Sequence, residues 1–204
     1  MPRKKERLSL DERASLPLAK DNPNFEYLRF NRQQICKAEI TSAVRLFLLD
    51  DDLISAHLLA SASIEIMGAL SNGQDGVGLN DIRAFLKGAS ISPDLEQEAF
   101  NSLMHPYNFL KHSSSNFNIE NDFCVEYIVM TIYSAIHSYK ILFSDLSFEM
   151  KVFYGITQAW RAEWWKESPD FAQRQHAAQQ FGLIDASRER FSECGRHLLQ
   201  QARR

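Results

Sequence analysis

Apolar residues recur at helical spacing through most of this chain. Ile40, Ala43, Val44, Phe47 and Leu48 fall on one face of a helix expected from about Arg32 to Asp50. Asp50-Asp51-Asp52 ends that helix. Asp52 is then a good N-cap for the next, since a carboxylate at a helix start accepts from free backbone N–H groups and complements the helix dipole. The second helix, Leu53 to about Leu70, is apolar almost all round, as befits a rod in the middle of a bundle. Within it His57, Ser61 and Glu65 are spaced i, i+4, i+8 and make one polar stripe. Ser71–Gly78 carries three glycines and breaks the chain into a loop.

Beyond that loop, Asn80 and Asp81 are candidate caps for a short helix over Ile82–Lys87. Ser92-Pro93-Asp94-Leu95-Glu96 is a strong helix start, with proline in the first turn and acids after it. That helix is expected to end near Met104, because Pro106 disfavours helical geometry at His105, and to resume briefly over Tyr107–Lys111. Ser113–Asn118 is polar and reads as a loop. A long helix follows from about Glu120 to Leu142, with Phe123, Ile128, Ile132, Ala135, Ile136 and Tyr139 toward the core, and another over Phe148–Trp165. Residues 168–204 contain good helix formers interrupted by Gly182 and Gly195, so they read as two short helices or a tail. The pattern predicts an all-α, up-and-down bundle of four to five main helices. Residues 1–31, interrupted by Pro17 and Pro23, form an N-terminal arm; 32–166 form the bundle; 167–204 form a C-terminal helical tail.

Composition agrees: with 204 residues, 45% of them hydrophobic, the chain can bury a real core, and 8 Gly and 6 Pro leave long stretches unpunctuated. The net charge of −3 hides basic ends on an acidic middle, a distribution that suits a solvated tail or a weak nucleic-acid footprint. The three cysteines, Cys36, Cys124 and Cys194, are far apart and form no CxxC pair, so neither a disulfide frame nor a zinc knuckle is indicated. Cys36 and Cys124 sit among apolar neighbours and read as small buried hydrophobes. The charged start, MPRKKERLSLDER, has no apolar core of a secretory signal, and no apolar run is taken as membrane-spanning. A cytoplasmic setting is the expectation.

The richest chemistry lies in Tyr107-Asn108-Phe109-Leu110-Lys111-His112, just after His105-Pro106. Asn108 and His112 share a helical face, and Lys111 is adjacent. Metal-free cleavage of RNA needs a proton acceptor for the 2′-hydroxyl, a proton donor for the leaving oxygen and positive charge on the phosphorane. His112 can move one proton, Lys111 can supply charge without arginine's fork, and Tyr107 can donate one hydrogen bond. The stripe His57, Ser61 and Glu65 is either a satisfied internal network or the lining of the same cleft.

This segment resembles the Arg-x-x-x-x-His signature of the HEPN helical superfamily, with Tyr107 where the arginine stands. The helix Ala56–Leu70, with its internal Glu65, is similar to that superfamily's second helix, and the likeness covers about residues 32–142. It is also similar to small bacterial helical proteins with an Asn-Phe-Leu-Lys-His core. The resemblance implies a homodimer, RNA or a nucleotide as ligand, and a nucleotidyltransferase-like protein as partner. Many bacterial members are metal-independent endoribonucleases, often toxins; His112 matches their histidine, Asn108 their polar residue and Glu65 their helix-two acid. Two functions follow as expectations. One is a non-catalytic or regulatory interaction module, favoured by the missing arginine. The other is a ribonuclease with His112 as acid/base, Asn108 orienting, Lys111 on the phosphate, and Glu65 or His57 in support.

No cofactor or metal is expected. Asp50–Asp52 are explained by capping, and His105, His112 and His137 match no ligand spacing. Trp160, Trp164 and Trp165 with Arg161 could stack bases, but Trp160 and Trp164, at i, i+4 on a helix, read rather as core or interface anchors. Phosphate-loop, dinucleotide, nucleophile-elbow and zinc-protease motifs are absent from the sequence.

Overall fold

The computed structural model describes residues 28, 30–71, 74, 76–88, 93–111, 122–166 and 168–201. The expected N-terminal arm therefore lies almost wholly outside the described residues, as do His112 and the 113–118 loop. What is described is all helix, with no strand. α1 spans Arg32–Arg45 and runs into a π-helical turn, Leu46–Asp50. α2 spans Leu53–Leu70, α3 Leu79–Gly88, α4 Pro93–Lys111, α5 Val125–Phe143 and α6 Phe148–Trp160. A 3-10 turn, Ala162–Trp165, leads to α7 (Phe171–Phe181) and α8 (Arg188–Gln201).

Local chemistry sets these boundaries. Asn31 and Gln34 form a reciprocal capping box on α1, with bonds of 2.8 and 2.9 Å. Asp51 turns the chain through a left-handed conformation (φ 55°), and Asp52 caps α2 by accepting from the Ser55 N–H at 3.0 Å. Ser147 caps α6 by accepting from the Met150 N–H. Gly182 closes α7 at φ 62°, a conformation glycine adopts without strain.

α2 is the axis of the bundle and packs along both α1 and α5. Its length and mean hydropathy of 1.6 would allow it to cross a membrane, contrary to the sequence expectation; 39% of that stretch is buried inside the bundle. The loop before α3 is pinned at Gly78, where a Cβ would stand 2.7 Å from the Gly68 Cα. The Gly78 N–H donates to Ser138 Oγ at 2.9 Å, which fastens the loop to α5.

Three expectations change. α4 runs unbroken through Pro106, because Leu103, Met104 and Tyr107 are buried on both sides of it and hold one helical face against the core. Their burial, at about 1.5–3 kcal/mol for each large side chain, outweighs the proline penalty of about 3 kcal/mol. Cys124 is exposed, since it is the N-cap of α5 and sits at the helix mouth rather than on its apolar face; Cys36 and Cys194 are buried. The segment after 167 contributes to the main core: Phe191 is fully buried and meets Phe47, Phe153 and Trp160 ring to ring. Gly195 makes that approach possible, because a Cβ there would lie 2.7 Å from a Leu48 methyl.

Candidate functional site

α4 presents Tyr107 inward. The residue is 7% exposed, and its hydroxyl donates to Glu65 Oε2 of α2 at 2.9 Å. The first residue of the motif and the acid of the stripe therefore meet, although 42 positions separate them. A shallow hollow lies beside this pair, lined by Glu65, Gly68, Val77 and Asn80. Asn108 is exposed, Lys111 closes α4, and His112 is outside the described residues.

The polar stripe of α2 does not open as one row. His57 and Ser61 are both fully buried, with Ser61 Oγ 3.4 Å from His57 Nε2, while Glu65 is exposed. Among the described residues His57 Nδ1 meets no hydrogen-bonding atom. Burial holds the His57 pKa down at about 4, so the ring is neutral at pH 7. A neutral, enclosed imidazole with no route to solvent is a core histidine. The reason is positional: Ala56, His57, Ala60 and Ser61 lie on the side of α2 that is buried in the bundle, whereas Glu65, a turn further on, is exposed.

A second constellation went unread in the sequence. α3, α5, α6, the 3-10 turn and α7 surround a half-open cavity of about 320 Å³. On one wall His137 Nδ1 lies 2.8 Å from Asp81 Oδ1. Asp81 was expected to cap α3; it lies instead inside the first turn, which frees its carboxylate for this contact. Tyr133 and Tyr154 stack at 4.7 Å with their planes 8° apart, and Trp165 tilts over Tyr133 at 5.2 Å. Gln158 donates to the Tyr133 hydroxyl at 3.0 Å. Burial raises the Tyr133 pKa far above its ordinary value, so that phenol remains protonated.

Arg174 completes the cavity. Its side chain is 15% exposed, and the one acid paired with it among the described residues, Asp170, is 4.0 Å away, beyond hydrogen-bond reach. Its Nη1 is buried without an acceptor. The i, i+4 pairs Tyr133/His137 and Tyr154/Gln158 were the sequence signals available. Each reads equally well as core, and only the fold turns them toward one space. Of the tryptophans, Trp160 is buried and donates from Nε1 to the Ala186 carbonyl at 2.7 Å, while Trp165 faces the cavity. Among the described residues no group of three or more His, Cys, Asp or Glu is placed to hold a metal ion.

No family model, curated protein or solved structure matches this chain.

Proposed function

We propose that this chain is a HEPN-like helical interaction module that does not cleave RNA. One observation carries the reading: the position where such a ribonuclease needs a cation is held by Tyr107, which is buried and donates its hydroxyl to Glu65. A phosphorane develops negative charge that must be met by a preorganised donor, and a charged one is worth far more than a phenol. A phenol bonded to the Glu65 carboxylate must give up that hydrogen bond to turn it on a phosphate.

The same contact supports kinship in layout, since it joins the helix carrying the motif to the helix carrying the acid. In this reading Tyr107 and Glu65 lock α4 against α2 and stabilise the module. The module works as a homodimer that binds RNA, a nucleotide or a nucleotidyltransferase-like protein. Leu58, Leu59, Ala62 and Ile66 leave part of α2 accessible and are suited to pairing two copies.

The test is incubation of purified protein with labelled RNA in excess chelator, beside the His112→Ala variant. Intact RNA in both samples is expected. Cleavage that disappears in the variant would replace this reading with the metal-independent ribonuclease, in which His112 is the acid/base. Sedimentation of a strictly monomeric species at high concentration would remove the dimer.

A further inference from the structure

We propose that the cavity bounded by Tyr133, His137, Trp165 and Arg174 is a binding site for a planar carboxylic acid of one or two fused rings. The carboxylate sits on the Arg174 guanidinium and the ring lies along the aromatic wall. This site is separate from the Tyr107–Glu65 contact, and it stands or falls independently of the RNA reading.

Charge is the first argument. A buried guanidinium nitrogen without an acceptor is costly, and an oxyanion within reach would satisfy it. Arginine presents two parallel N–H groups, which match a carboxylate edge to edge. Trp165 lies beneath the guanidinium at 5.4 Å and stiffens it against reorientation. The wall is thus set for an incoming anion rather than for a protein partner already present.

Charge also limits the ligand. Among the described residues lining the cavity Arg174 is the one arginine or lysine, and Asp81 stands on the wall against the His137 imidazole. A monoanion balances that single guanidinium, whereas a phosphate dianion would add a second negative charge beside Asp81. With Nδ1–H given to Asp81, His137 Nε2 remains to hydrogen-bond a polar edge of the ring.

Shape is the second argument. The near-parallel Tyr133, His137 and Tyr154 planes, with Trp165 tilted across them, form flat apolar surfaces. Aromatic ligands stack on such surfaces and gain stabilisation beyond simple burial. At about 320 Å³ the space is near the lower end of small-molecule sites. That accommodates a bicyclic acid and leaves little room for a nucleotide's sugar and phosphate.

The experiment uses the full chain and three probes, 2-naphthoate, its neutral carboxamide and AMP, titrated by calorimetry and by ligand-observed NMR. Saturable 2-naphthoate binding is expected below about 1 mM, with the carboxamide and AMP at least about tenfold weaker. Arg174→Gln should weaken naphthoate by about tenfold or more, the loss of one charge-assisted pair. Arg174→Lys should recover part of it, and Arg188→Gln, which lies outside the cavity, should change nothing. Thermal melts of each variant show whether the fold is kept, and the lysine variant carries the test if the glutamine variant unfolds. No saturable naphthoate binding up to about 10 mM would overturn the proposal. So would equal binding by Arg174→Gln, or tighter binding of AMP or of the carboxamide than of the acid.

Discussion

Acidification should unlock the core through His57. Its imidazole is fully buried with Ser61 Oγ 3.4 Å from Nε2, and burial pushes its pKa down to about 4 against 6.5 for a free histidine. Below pH 6.5 the unfolded chain takes up a proton that the folded chain refuses, so the folded state loses stability as pH falls from 6.5 toward 4. At about 1.4 kcal/mol per pH unit, the full loss is about 3 kcal/mol, and about 2 kcal/mol of it has accrued by pH 5. That is a large share of the roughly 5–15 kcal/mol that separates folded from unfolded domains. Carboxylates contribute acid sensitivity of their own, so the informative quantity is a difference between two proteins. His57→Met keeps a similar volume and removes the ionisable ring together with the unsatisfied Nδ1. Urea unfolding should give the two proteins stabilities within about 1 kcal/mol at pH 7.5. At pH 5 the variant should gain about 2 kcal/mol on the wild type. Parallel stability curves across that range would refute the enclosed, neutral imidazole, as would a histidine NMR titration for position 57 with a midpoint near 6.5.

Other outcomes follow from the packing. Gly78→Ala should cost about 3 kcal/mol or more, because it forces a side chain to φ +65° and onto the Gly68 backbone; Gly68→Ala, whose Cβ meets only the Gly78 Cα at 3.9 Å, should cost under about 1 kcal/mol, and reversal of that order in thermal melts would contradict the loop geometry. Phe191→Ala should cost about 3–5 kcal/mol in urea unfolding, as for a ring at the centre of a core; a loss under 1 kcal/mol would show the last helix to be peripheral. Under native conditions a thiol reagent at pH 8 should modify Cys124 alone, since Cys194 is buried and burial lifts the Cys36 pKa to about 11; labelling of Cys36 at a comparable rate would contradict its enclosure.

Helix positions were largely legible in the chain, and the reason is physical. Leu53–Leu70 was bounded by an aspartate cap and a glycine loop, and both act locally, so its ends could be read without knowing the fold. Pro106 misled because its local penalty is real but smaller than the burial of residues on either side, and burial is a tertiary quantity. Cys124 misled in the opposite sense, since apolar neighbours in sequence do not bury an N-cap residue. Gly195 looked like a helix breaker and is a close-packing position. The sites show the same division. Glu65 and Tyr107 could be singled out but not joined, because no spacing relates residues 42 positions apart. His57 and Ser61 were correctly placed on one stripe, yet which part of that stripe meets solvent depends on where α1 and α5 lie. The Arg174 cavity draws on α3, α5, α6, the 3-10 turn and α7, and no local pattern announces such an assembly.

The proposal turns on Tyr107, buried and bonded to Glu65, standing where the resembled ribonucleases carry arginine. The most direct measurement is the ratio of RNA cleavage rates of the wild type and His112→Ala, taken from one preparation series on end-labelled RNA in excess EDTA. A ratio of one is expected, with both rates at the no-protein background. A wild-type rate well above that background, abolished by the substitution, would contradict it.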